Sequence, residues 1–174
     1  MSKRLNRVMK DIEQNRAVNA ADHVWIAVEG DDVSKVYYCF DGIEGSCFEG
    51  GQYFGVFELP EDFPFSAPRQ IKMLTPNGRF IPNTSLCLTV VSSFYSSQWN
   101  ASISLYKIAV MLQLYMTLPY EHMTGGLKST NEETRNFAKH TRRWNEAHPL
   151  FPTLFPHLMK PIVPTPVSSE MVSS

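Results

Sequence analysis

The chain has 174 residues, with 16 Lys and Arg against 17 Asp and Glu, and its formal charge is −1 at pH 7. This balance excludes a strongly basic nucleic-acid-binding protein and a highly charged disordered chain, so we expect no nucleic acid among its partners. Hydrophobic residues make up 43% and aromatic residues 12%, which suffices for the core of one globular domain without disulfide bonds or a structural metal.

The N-terminal segment has the pattern of an amphipathic helix. Apolar residues recur at the helical spacing i, i+3, i+4 and i+7: Leu5, Val8, Met9 and Ile12. Basic residues fall mostly on the other faces: Lys3, Arg4, Arg7 and Lys10. The pattern alone predicts a helix whose basic outer face is solvated.

Four extended runs follow the helix. Residues 23–28, 36–40 and 53–59 are rich in β-branched and aromatic residues and are separated by turns that contain Gly and Asp. This spacing favours an antiparallel meander over strands joined by crossover helices. After three prolines, residues 70–74 offer a short fourth strand.

Residues 75–100 are too rich in Pro, Asn, Gly and Ser for long regular structure. Long irregular segments inside a compact domain are usually functional. We therefore expect the chemistry of the protein to lie in this segment.

The sequence of residues 103–116 predicts a second helix that begins at a cap, Ser102 or Ser104. This helix is apolar on almost all sides and should be buried on more than one of them. This stretch and the residues that follow it to 118 are the most apolar in the chain. They are shorter than the roughly 20 residues that a membrane-spanning helix needs. They also contain Lys107 and Gln113.

A third helix is predicted to begin at the capping-box sequence 130–133 and to end before Pro149. Phe137, Thr141 and Trp144 share one of its faces. The fold class is therefore α+β, with one domain over residues 1–160. Residues 161–174, rich in Pro, Ser and Val, form a tail or linker.

The three cysteines, an odd number in a Cys-poor chain, are typical of free thiols in a reducing compartment, and we expect a cytoplasmic protein. Cys39 alternates within a predicted strand and should be buried, whereas Cys47 in a Gly-rich turn should be an exposed thiol. Cys87 lies in the irregular segment and is the candidate nucleophile for acyl transfer through a thioester. A cysteine hydrolase stays possible, although no His and Asn stand at the spacing of a cysteine protease.

Five motifs occur in order: EGG-x-Y, PF-x-x-P, TPNGRF, N-T-x-L-C-L and a following Trp. With them the chain resembles the catalytic domain of ubiquitin-conjugating enzymes. More narrowly, it resembles the branch tied to endoplasmic-reticulum degradation, which carries TPN in place of HPN. The resemblance implies the ubiquitin-conjugating-enzyme fold: an N-terminal helix, a four-stranded antiparallel meander, an irregular active-site segment and C-terminal helices.

The resemblance also implies an activity. Cys87 would accept ubiquitin from the ubiquitin-activating enzyme as a thioester and pass it to a substrate lysine while a RING-type ubiquitin ligase holds the charged enzyme. No metal or other cofactor is implied, because the activating enzyme consumes the ATP.

Asn77, Glu121 and His122 are further candidates for work at the active site. Asn77 matches the Asn of the family motif and either donates to the oxyanion formed during lysine attack or braces the segment through backbone hydrogen bonds. Thr75 stands where most of the superfamily has His. Glu121 and His122, on the loop after the second helix, either orient the incoming lysine or form an exposed solvated pair.

Partner surfaces follow from the same resemblance. Phe65 of the PF-x-x-P loop, Arg4, Arg7 and Trp99 would contact the ligase. Residues 99–103 depart from the WNPAW of the branch, which implies an altered ligase preference. Lys107 and Met111, on the exposed face of the second helix, would contact donor ubiquitin.

Two alternatives use the same fold: a catalytically inactive ubiquitin-binding variant and a conjugator of a ubiquitin-like modifier. The resembled branch carries a C-terminal transmembrane anchor. The sequence ends in VPTPVSSEMVSS without such a helix, so either it stops before an anchor or the protein is soluble. We favour the first alternative and expect a membrane contact only through the anchor, with the full-length protein on the cytosolic face of the endoplasmic reticulum.

Overall fold

The computed structural model describes residues 2–86, 99–120 and 122–159, without the side chains of 17–22. The helices and strands follow in chain order: α1 Lys3–Asp22, β1 Val24–Glu29, β2 Asp32–Asp41, β3 Gln52–Glu58, β4 Gln70–Met73, α2 Leu105–Met116, α3 Asn131–Ala147, α4 Phe151–Leu154 and a 3-10 turn Pro156–Leu158. No helix among these residues combines the length and the apolarity needed to cross a bilayer.

The four strands form one antiparallel sheet in the order β1-β2-β3-β4, which confirms the predicted meander. β2 begins four residues before the predicted start. Only Gly30 and Asp31 separate β1 from β2, because Glu29 already pairs with Asp32. Gly30, with φ of 55°, supplies the left-handed conformation that so tight a turn needs.

Both faces of the sheet are covered. One face packs against α1 and α2 in the larger core, where Tyr38, Phe40 and Phe57 are fully buried. The other face packs against α4 and its flanks, where Phe54 contacts Phe151 and Phe155. This two-sided packing explains why β2 and β3 have hydrophobic residues at successive positions rather than in strict alternation.

Cys39 is fully buried in the second core, as predicted, and burial raises the pKa of its thiol well above the usual value. A protonated, buried thiol is a poor nucleophile. The prediction of an exposed Cys47 was wrong: this residue is half-buried and packs against the larger core.

Helix α1 presents a partly polar face to the protein. Met9 is 49% exposed, so the predicted apolar stripe was wrong at this position. Asp11 and Asn15 are buried instead. The Asp11 carboxylate accepts the backbone N–H of Leu105, and the Asn15 amide bonds the backbone of Val24. These polar residues are buried because backbone groups of β1 and of the start of α2 need partners.

The predicted capping box at the start of α3 is confirmed: the hydroxyl of Thr130 accepts the N–H of Glu133, and the carboxylate of Glu133 accepts the N–H of Thr130. On the face that Phe137, Thr141 and Trp144 share, Thr141 is buried, whereas Phe137 and Trp144 are each 37% exposed. Small and polar residues line the buried side of the helix: Thr134, Ala138, Thr141 and Asn145.

Candidate active site

Residues 75–86 lead directly to Cys87 and are held along their length by backbone hydrogen bonds. Asn83 donates its N–H to the carbonyl of Met73, and Leu86 donates to the carbonyl of Ile71 at 2.8 Å. The segment therefore folds back along β4, which fixes the backbone of Leu86. Cys87 and Glu121, the predicted nucleophile and one predicted lysine-orienting residue, lie outside the described residues.

A second chain segment pairs with this one. Ile81 donates its N–H to the carbonyl of Gly125, Leu127 donates to the carbonyl of Arg79, and both bonds are 2.9 Å. Phe80 and Gly126 form an isolated antiparallel bridge. The loop after α2 thus packs against the residues that precede Cys87.

Asn77 is 1% exposed, and its bonds to described residues are all to backbone of its own turn. Its Nδ2 donates to the carbonyls of Thr75 and Phe80 at 2.9 and 3.1 Å. Its Oδ1 accepts the N–H groups of Arg79 and Phe80 at 2.8 and 2.7 Å. Both amide hydrogens are in use, so of the two roles considered for Asn77 this geometry favours bracing over donation to an oxyanion.

Thr75 takes part in a buried chain of neutral hydrogen bonds. Its hydroxyl accepts the N–H of Phe54 at 2.9 Å and donates to the Oδ1 of Asn145 at 2.6 Å. The Nδ2 of Asn145 donates to the backbone carbonyl of Gln52, and the N–H of Gln52 donates to the hydroxyl of Thr141. The chain of bonds joins the end of β4 to α3 through β3.

Sequence reasoning noted Thr75 but missed its partners. The available signal was Thr134, Thr141 and Asn145, whose spacing of 7 and 4 residues places them on one face of a helix. A polar stripe on the face that packs against a sheet indicates buried hydrogen bonds.

Arg79 was also missed. Its side chain is 5% exposed, and its guanidinium carbon lies 5.0 Å from the ring centroid of Tyr115 and 5.5 Å from those of Phe80 and Tyr120. The ring of Tyr115 comes from α2 and that of Tyr120 from the following loop. His122, on the same loop, is exposed, which agrees with the solvated alternative for this residue.

Three of the predicted ligase-contacting residues, Phe65, Trp99 and Arg4, lie near each other on one side of the molecule. Phe65 is 62% exposed, with the Nζ of Lys3 at 5.2 Å from its ring. The indole N–H of Trp99 donates to the carbonyl of Pro64 at 2.7 Å, and Arg4 donates to the carbonyl of Leu59. The start of α1, the loop 59–65 and residues 99–103 therefore form a continuous surface.

The prediction that Arg7 belongs to a solvated basic face was wrong. Its side chain is 17% exposed and pairs with Asp11 at 2.9 Å. The guanidinium also donates to the carbonyls of Ala101 and Ile103. Arg7 is buried because it satisfies carbonyls in the turn before α2.

The prediction that Met111 lies on the exposed face of α2 was also wrong, since this side chain is 5% exposed and packs in the larger core. Lys107 and Leu114, seven residues apart and thus on one helix face, are the exposed positions. In a helix that is apolar nearly all round, the sequence does not distinguish the solvent side, and contact with α1 and the sheet decides it.

No group of three His, Cys, Asp or Glu side chains clusters as metal ligands would, within the part of the chain that the structure describes.

Comparison with known proteins gives consistent matches. The family model for ubiquitin-conjugating enzyme matches residues 7–147. Ubiquitin-conjugating enzyme E2 6 of Schizosaccharomyces pombe is 38% identical over 130 residues, which cover 74% of this chain and 56% of that protein. The protein of the same name from Eremothecium gossypii is 34% identical over 157 residues, covering 90% of this chain and 62% of that protein.

A plant relative, ubiquitin-conjugating enzyme E2 34 of Arabidopsis thaliana, is 33% identical over 138 residues, which cover 79% of this chain and 57% of that protein. The chain thus spans about three fifths of the length of these curated relatives.

Proposed function

This chain belongs to the ubiquitin-conjugating enzyme family, and from that membership we propose that it carries ubiquitin as a thioester on Cys87 and transfers it to a substrate lysine. The thiolate of Cys87 attacks the ubiquitin thioester on the activating enzyme, forms a new C–S bond and releases that enzyme's thiolate. The lysine amine then attacks the same carbonyl carbon. The tetrahedral oxyanion collapses, an amide bond forms, the amine loses a proton and the thiolate of Cys87 leaves.

The observation that carries this proposal is the fixed position of the segment before Cys87. Backbone bonds from Leu86 to Ile71 and from Ile81 to Gly125 hold the segment on both sides. A thioester needs a nucleophile presented in a reproducible position to two successive large partners. The alternative cysteines are less suited, because Cys39 is buried and protonated and Cys47 packs against the core.

Residue roles follow for the described part of the site. Asn77 is a positioning residue that holds the turn 75–80 through four hydrogen bonds. His122, which is exposed, and Glu121 remain our candidates for orienting the incoming lysine. Lys107 is the candidate contact of donor ubiquitin on the exposed face of α2.

The ligase, which we propose is of the RING type, would bind the surface formed by α1, the loop 59–65 and residues 99–103. Phe65 supports this proposal most directly, since a 62% exposed Phe on a loop is available to insert into a partner. Arg4 and Lys3 would supply the charge beside it. Arg7 would act indirectly, by fixing the turn 101–103.

We further propose a role in endoplasmic-reticulum-associated degradation, which rests on the TPNGRF segment and its resemblance to that branch. Fractionation of cells that express the full open reading frame should recover the protein with endoplasmic-reticulum membranes, on the protease-accessible cytosolic side. Recovery in the soluble fraction alone would contradict this role.

The experiment that tests the activity is thioester formation with activating enzyme, ATP and ubiquitin. We expect a reductant-sensitive adduct that is absent in Cys87→Ala, and a reductant-resistant ester in Cys87→Ser, because an oxygen ester is not cleaved by thiols at the same rate. Cys47→Ser is the matched control and should load normally.

Absence of the adduct, or its persistence in Cys87→Ala, would contradict the proposal. Loading with a ubiquitin-like modifier but not with ubiquitin would favour the second family activity instead.

A further inference from the structure

Arg79 has an unusual environment for a charged side chain. Its exposure is 5%, and within the described residues no hydrogen-bond partner lies on Nε, Nη1 or Nη2. Rings of Phe80, Tyr115 and Tyr120 surround the guanidinium and supply cation–π contact. Rings do not replace hydrogen bonds to a guanidinium, whose five N–H donors are costly to bury unpaired. Among the described residues, none satisfies these donors, which leaves them to a ligand or to another partner.

Arg79 lines an open cleft of about 380 Å³, which we call the Arg79 cleft, and its guanidinium nitrogens are buried in the wall of this cleft. Its walls are formed by residues 45–48, by the end of α2 with residues 117–120, and by Gly78, Leu127 and the start of α3. A cleft of this size accommodates a small charged group together with part of the molecule that carries it.

The charged residues in the described lining of the Arg79 cleft are both cations, whereas Glu132 and Glu133 lie in the adjoining first turn of α3. Arg135 is a second cation in its wall, and no Asp or Glu is found among its described lining residues. Asn131, the first residue of α3, also lines the cleft, so the positive end of this 17-residue helix faces it. The hydroxyl-bearing Ser129 lies beside Asn131.

We propose that the Arg79 cleft is a binding site for an oxyanion. The guanidinium fork would bind two oxygens of the ligand while the aromatic rings hold its plane. Arg135 and the N-terminus of α3 add further positive charge, which favours a doubly charged phosphate group over a singly charged carboxylate. Gly78 belongs to the segment that precedes Cys87, and Leu127 belongs to the loop after α2 that pairs with it, so a bound anion would hold this segment and this loop together.

The test is an NMR titration of the isotopically labelled protein, without ubiquitin on Cys87. Inorganic phosphate and, separately, acetate are added at constant ionic strength. We expect saturable chemical-shift changes at the amides of Gly78, Leu127 and Ser129. Phosphate should bind more tightly than acetate. Arg79→Met should weaken phosphate binding by roughly 10- to 100-fold, the loss expected for a charge-assisted pair of hydrogen bonds.

The matched control is Arg143→Met, which removes an exposed cation from α3 outside the Arg79 cleft and should leave phosphate binding unchanged. Should Arg79→Met not fold, Arg79→Lys retains the charge, loses the fork and should still weaken phosphate binding. Shifts that do not saturate, or an affinity unaffected by either change at Arg79, would overturn the proposal.

Two further arms identify the source of the anion. A phosphoserine peptide that competes with inorganic phosphate, while its glutamate counterpart competes less well, supports a phosphate-bearing ligand. Phosphate binding that becomes more than about tenfold tighter in Glu121→Gln would show that the chain's own carboxylate is the anion, and would overturn an external ligand. All arms use the protein before any ubiquitin is loaded, so their outcome is separate from that of the thioester assay.

Discussion

At the scale of single residues, the burial and hydrogen bonding of polar side chains in residues 75–80 were the features least predictable from the sequence. The motif identified Asn77 as important, but its role depends on where the carbonyls of Thr75 and Phe80 point, which only the folded turn determines. Arg79 appeared as an ordinary cation beside an aromatic residue. Its burial depends on Tyr115 and Tyr120, which are more than 30 positions away in the chain.

Replacement of Asn77 separates its two candidate roles. Asn77→Ala leaves buried N–H and C=O groups of its turn unpaired, so we expect the free energy of unfolding to fall by roughly 2–4 kcal/mol. Thioester discharge to lysine should slow as well, because the segment before Cys87 loses its brace. Urea unfolding and single-turnover discharge measure the two effects.

The matched control is Asn100→Ala. Asn100 accepts the N–H of Ser102 in a similar local turn but is exposed, and its loss should cost less than about 0.5 kcal/mol. Slower discharge of Asn77→Ala at unchanged stability would restore the oxyanion-donor role.

At the scale of elements, hydrophobic periodicity predicted the type and order of the main helices and all four strands. It failed on orientation. In α1 an apolar pattern predicts a buried Met9 and an exposed Asp11, and the structure shows the reverse. Asp11 is buried because its carboxylate accepts the first N–H of α2. In α2 the apolar residues on every side left the exposed face undetermined until contacts with α1 and the sheet placed Met111 inside.

Arg7 is the main polar link between α1 and the turn before α2. Arg7→Ala removes its pair with Asp11 and two bonds to the carbonyls of Ala101 and Ile103. We expect the free energy of unfolding to fall by about 1–3 kcal/mol, as measured by urea unfolding. Lys10→Ala, an exposed cation on the same helix, should change it by less than about 0.5 kcal/mol. Equal effects of the two changes would contradict the bridging role of Arg7.

At the scale of the whole molecule, the proposed ligase surface joins three segments that are distant in sequence. The indole of Trp99 holds the loop that carries Phe65 through the carbonyl of Pro64. The family motifs identified each segment in the sequence. The contacts between the segments depend on hydrogen bonds of side chains across the fold. The exposed position of the Phe65 ring therefore depends on contacts with distant segments as well as on the loop that carries it.

Phe65→Ala should leave stability and thioester loading unchanged, because the ring is 62% exposed and the proposed loading of Cys87 involves no ligase. Ligase-stimulated discharge should fall at least roughly tenfold, as expected when an exposed aromatic anchor is lost. Trp144→Ala, a half-exposed aromatic on α3, is the control and should retain ligase stimulation. Equal stimulation of Phe65→Ala and the parent protein would place the ligase elsewhere.

The hydrogen-bonded chain from Thr75 through Asn145 to Gln52 consists of hydroxyl, amide and backbone groups. Such groups neither gain nor lose a proton between pH 5 and 8, whereas a histidine changes its charge within that range. This protein thus holds the segment that leads to Cys87 with uncharged groups. Acidification of its surroundings would leave this support intact.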